Sequence, residues 1–118
     1  MLVVTTENAV GYRVVKVLGT VFGISVRSRG FIGNALGNMR AVFGGSQQGF
    51  IDIVEETRQA AVADMMRSAA AMGANAILMM RFDSGEFGSG KGQAMNEVVA
   101  YGTAAVLESA QESVRRAD

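Results

Sequence analysis

Two long β-branched runs, Tyr12 to Val26 and Ala94 to Leu107, are apolar on both of their alternating faces, while the chain has only one long helix to cover them. In the first run Val14, Leu18, Phe22, Ile24 and Val26 share one parity, and Val15, Val17 and Val21 lie on the other with Gly19 and Gly23. In the second, Val98, Ala100, Ala104 and Val106 alternate with Met95, Val99, Tyr101 and Leu107. Successive side chains of a strand point to opposite faces, so this pattern calls for cover on both sides of a sheet. One helical layer covers one side, and a symmetric oligomer is the simplest source of the second cover. Gly19 and Gly23, with no side chains on their shared face, predict a bend or the close approach of another backbone.

The remaining elements follow from periodicity. Leu2 to Thr5 reads as a short strand. Ile32, Ala35, Leu36, Met39, Val42 and Phe43 recur at helical spacing up to Gly44-Gly45, which predicts a short amphipathic helix. Ile51 to Met72 predicts the main helix, with Ile51, Val54, Ala61, Val62, Met65, Ala69 and Met72 along one stripe and Gly73 just past its end. Ala76 to Asp83 reads as a strand, Ser84 to Gly92 as a flexible glycine-rich turn, and Ala94 to Leu107 as the returning strand. The expected fold is α+β. It has two layers, a mostly antiparallel sheet with one long helix on one face, in ββααββ order, within a single domain over 1–107 followed by a polar tail over 108–118.

Composition excludes several chemistries. With no His and no Cys among 118 residues, a Ser-His-Asp triad, a thiolate nucleophile, an imidazole base and a Cys/His zinc site are all absent. Charged residues are 19% of the chain against about a quarter in a typical domain, and hydrophobic residues reach 49%. That excess again fits a subunit with more than one buried face. Lys and Arg balance Asp and Glu at 11 each, but from Asn8 to Ile51 the charges are Arg13, Lys16, Arg27, Arg29 and Arg40 with no acid. No dense basic run or interleaved aromatic row accompanies them, so docking between subunits is expected and nucleic-acid binding is not. The start carries no basic leader, and no apolar stretch approaches the roughly 18 residues of a membrane span. The expectation is a cytoplasmic protein that does not associate with membranes.

Four groups of residues could carry chemistry. Gly85 to Lys91 matches the first seven positions of a P-loop, but Gly92 replaces the hydroxyl residue that would hold magnesium and no helix is predicted to follow. Gly30-Phe31-Ile32-Gly33, with Arg27 and Arg29 nearby, has the composition of a phosphate nest, although a loop entering a helix needs the same residues. Asp83, Glu86 and Glu97 surround the predicted turn and could give oxygen ligands to a hard metal cation. Met79, Met80 and Met95 could give thioether sulfur to a soft one, although strand methionines more often fill cores. Arg81, between Met80 and Phe82, is a charge on an apolar strand and predicts a matching carboxylate or carbonyl, with a neighbouring subunit as the expected source.

Several segments together resemble the YbjQ-like family of small bacterial and archaeal proteins, described as "putative heavy-metal-binding". They are Gly19-Thr20-Val21-Phe22-Gly23, the Gly44-Gly45 turn, Met72-Gly73-Ala74-Asn75-Ala76-Ile77 leading to Arg81-Phe82-Asp83, and Val98-Val99-Ala100-Tyr101-Gly102-Thr103-Ala104. The likeness extends to about Leu107. It implies a small α+β subunit assembling as a ring, a homopentamer, and it brings no catalytic residues. The expected function is therefore non-enzymatic: a self-assembling protein that is its own partner and binds a small ligand or ion in its ring. A metal-binding or sequestering protein using carboxylate or Met ligands is the alternative. No cofactor is identified.

Overall fold

In the computed structural model, residues 1–28, 47–89 and 93–111 are described. Their elements are β1 (Leu2–Val3), β2 (Tyr12–Ser28), α1 (Gln47–Ala71), β3 (Ala76–Ser89) and β4 (Gln93–Ser109). The valine-rich β2 pairs antiparallel with β4 along almost its whole length, and β4 pairs antiparallel with β3. β1 joins β3 in parallel, giving a four-stranded sheet in the order β1-β3-β4-β2. The fold is α+β with a mostly antiparallel sheet and a helix on one face, as the alternation of patterns predicts. The short helix predicted around Ile32 to Phe43 lies outside the described residues, as does the chain beyond 111.

Small residues bring α1 close to the sheet. Ala61, Met65 and Ala69 of the helix are fully buried against Val21, Ile77, Ala100 and Ala104. At Gly23 a Cβ would lie 2.0 Å from the Ala61 carbonyl oxygen and 2.4 Å from the Met65 nitrogen, so no other residue fits there. The backbone approach that the bare glycine predicts is thus made by the helix. At its C-terminus the Gly73 amide donates to the Ala70 carbonyl and the Ala74 amide to that of Ala69, with Gly73 at φ +91°. This is a Schellman stop at the predicted glycine.

Three sequence expectations are corrected. First, Ser84 to Ser89 is strand: β3 continues past Asp83, with Ser84 opposite Val98 and Ser89 opposite Gln93. The ladder with β4 satisfies the backbone of these glycine-rich residues, whatever their intrinsic preference. Second, the parity of β2 is interrupted by irregularities between Val14 and Lys16 and between Val17 and Gly19. Each extra residue reverses the faces, so Leu18 joins Val21 under the helix while Phe22, Ile24 and Val26 face away. Third, the first turns of α1 bury Ile53 and Thr57 and leave Ile51 and Val54 exposed. Thr57 is accommodated because its hydroxyl donates to the Ile53 carbonyl at 2.8 Å, a bond invisible to a hydrophobic pattern.

Candidate functional site

Among the described residues, the face of the sheet opposite α1 is divided into a covered half and a bare half. Over the covered half, Val4, Ala9 and Val14 pack on buried Ala76, Leu78, Ala105 and Leu107. The N-terminal segment is tied down by bonds from the Val4 amide to the Ile77 carbonyl, from Met79 to Thr6 and from Met80 to Val4. Here β3 shifts register between Leu78 and Arg81, and Met79 adopts a left-handed φ of 54°. Asn75 closes the base of this layer: its side chain donates to the Leu107 carbonyl at 3.0 Å and accepts from the Leu107 amide at 2.8 Å. The amide side chain reproduces both halves of a backbone pair, which explains an Asn at the entry to β3.

The bare half begins where that segment ends. Cross-strand registers place Phe22, Tyr101 and Arg81 in one row, Ile24, Val99 and Asp83 in the next, and Val26, Glu97 and Gly85 in a third. Phe22 is 55% exposed, Ile24 52% and Tyr101 37%. Directly opposed side chains on one face sit close together, so these residues form one apolar surface bordered by charge on β3. The parity of each strand suggested two apolar faces, but only the folded sheet shows which residues remain uncovered.

Of the three acids singled out as cation ligands, the structure brings two together. Asp83 pairs with Val99, and Glu97 pairs with Gly85, so Asp83 and Glu97 are diagonal neighbours on this bare face. Such neighbours are on the order of 7 Å apart, within reach of a shared cation. Glu86 pairs with Asn96, one residue out of phase with both. Among the described residues no three acids gather in one place. Met80 packs against the core under the helix while Met79 is 47% exposed, so these neighbours have separate environments.

Arg81 finds carbonyls rather than a carboxylate. Its Nη1 donates to the carbonyls of Thr5 and Met80, each at 2.8 Å, which clasps the N-terminal segment to β3 while the side chain stays exposed. The P-loop reading loses its framework. A nucleotide loop runs from a strand into a helix, whereas Gly85 to Ser89 is an arm of a β-ladder, with Gly90, Lys91 and Gly92 outside the described residues. Gly30 to Gly33 also lies outside them. On the flank of α1, Ile51, Val54, Glu55 and Arg58 line an open groove of about 420 Å³, where the Arg58 guanidinium lies 5.5 Å from the Phe82 ring centre. No helix among the described residues is long and apolar enough to cross a membrane.

Comparison with known proteins agrees with this architecture. The YbjQ family, described as "putative heavy-metal-binding", matches residues 1–108. A UPF0145 protein from Acidiphilium cryptum is 55% identical over 109 residues, covering 92% of this chain and 96% of that one. A UPF0145 protein from Picrophilus torridus is 41% identical over 113 residues, covering 96% and 92%. A crystal structure from Pediococcus pentosaceus, of a protein with unknown function belonging to the DUF74 family, superposes with a TM-score of 0.54. It is 17% identical, over 92% of this chain and 98% of that one, and shows the likeness of fold.

Proposed function

This chain belongs to the YbjQ family, described as "putative heavy-metal-binding", and from that premise we propose that it is a non-enzymatic, cytoplasmic subunit that assembles with copies of itself into a ring. Five subunits is the number that the family resemblance implies. The observation that carries this reading is the bare apolar face around Phe22, Ile24 and Tyr101, next to a half already covered by the chain's own N-terminal segment. An exposed contiguous apolar patch is costly to leave in water, and a second copy of the chain can remove it. The ring then offers each of its polar positions several times over to a small ligand or ion.

Metal binding is the second reading, favoured by Asp83 and Glu97 lying diagonal on adjacent strands of that face. Two carboxylates per subunit form an incomplete shell for a hard cation, and repetition around a ring would supply further oxygens. One experiment addresses both readings. The protein is equilibrated with Mn²⁺, passed through a sizing column with light-scattering detection, and its peak analysed for metal. A mass several times 12.4 kDa at micromolar concentration supports assembly, and a 12.4 kDa peak refutes it. Bound Mn²⁺ that is lost in Asp83→Asn supports the second reading; Mn²⁺ absent from the peak, or unchanged in that variant, refutes it.

A further inference from the structure

β2 is the terminal strand of the sheet, and among the described residues nothing pairs along its outer side. A long apolar edge of this kind is a template for strand addition by another chain. At one point it is closed. The Ile24 amide donates to the Oδ2 of Asp64, on α1, at 3.0 Å, while the Oδ1 of the same carboxylate lies 3.3 Å from Arg67 Nη2. Ile24 is opposite Val99 in the β2–β4 register, so an amide bonded to the helix must point away from β4, toward the open edge. The helix can reach it because Gly23 lets α1 settle onto the strand immediately beside Ile24.

We propose that Asp64, oriented by Arg67, is an edge guard that closes β2 to strand addition at Ile24 by a second copy of this chain. An incoming strand would have to break a charge-assisted bond and bring a carbonyl oxygen up to a carboxylate, so attraction at that position becomes repulsion. Phe22 and Ile24 then meet a partner through the face of the sheet and not through edge pairing. The closure of the edge is independent of the ring, whereas this consequence for the partner's approach rests on the assembly proposed above.

The test compares the unaltered protein with Asp64→Ala and Asp64→Asn. Asn keeps an acceptor oxygen for the Ile24 amide and Ala removes it. Ile24 amide exchange should quicken about tenfold in Asp64→Ala, the protection of one charge-assisted bond, and much less in Asp64→Asn. Light scattering should show concentration-dependent species larger than the unaltered assembly, positive for thioflavin, in Asp64→Ala alone. An Asp64→Ala protein that matches the unaltered one in exchange and size overturns the proposal. If that variant does not fold, the unaltered protein decides, because an Ile24 amide exchanging as fast as that of Phe22 overturns it equally. A monomeric unaltered protein would refute the ring and leave this comparison intact, since the guard is read from the difference between variants.

Discussion

Gly23 shows how one missing methyl group sets the geometry around it. The atom that a Cβ would meet at 2.0 Å belongs to the Ala61 backbone, which cannot turn aside as a flexible side chain could. Gly23→Ala must therefore push α1 off β2, separating Ala61 and Met65 from Val21 and Ala100 and pulling Asp64 away from the Ile24 amide. Overpacking of this kind costs about 3 kcal/mol. A urea titration should show that loss as a lower midpoint. Gly85→Ala, where nothing lies within 4 Å of the new atom, should move the midpoint little and so separates the clash from the loss of a glycine. Arg81 carries a different lesson. Its charge on an apolar strand predicts a partner from a neighbouring subunit, whereas the partners it finds are the Thr5 and Met80 carbonyls of the same chain.

At the scale of elements, the stop of α1 was legible because a left-handed residue is needed just after a helix and Gly adopts that conformation most easily. Gly73, at φ +91°, has open space where an added methyl group would stand, so Gly73→Ala tests backbone conformation without a clash. It should cost about 1 kcal/mol. A calorimetric scan should show the melting temperature falling by about 4 °C. β3 was less legible. Its glycines predicted a turn from Ser84, but the strand continues to Ser89 because β4 pairs with it throughout. Cross-strand pairing is a property of two segments together, and composition along one segment does not contain it.

At the scale of the molecule, among the described residues the sheet extends beyond what α1 and the N-terminal segment cover. That exposed face is the surface that the assembly proposed above would bury. Phe22→Lys puts a charge in the middle of it, at a residue that is 55% exposed in the single chain and adds little to the core under the helix. Desolvating an unpaired ammonium in an interface is unfavourable. The expected outcome is a particle of 12.4 kDa with an unchanged far-ultraviolet dichroism spectrum. A multimer that persists with Lys at position 22 would place the contact on another surface.

The sequence alone determined the absence of imidazole and thiol chemistry among its residues, the identity of the long elements and the stop at Gly73. Each depends on residue type or on periodicity within one segment, which the chain carries without folding. Tertiary structure decided which face of β2 each residue occupies, because two local register shifts reverse the alternation at Leu18 and leave Phe22 and Ile24 uncovered. It also decided that Asp83 and Glu97 become diagonal neighbours while Glu86 falls out of phase, since that grouping is set by the β3–β4 register. The bond from Ile24 to Asp64, 40 residues apart, was equally hidden. The sequence specifies both groups, but their meeting requires the helix to cross β2 at Gly23, and that crossing exists only once the two layers have packed.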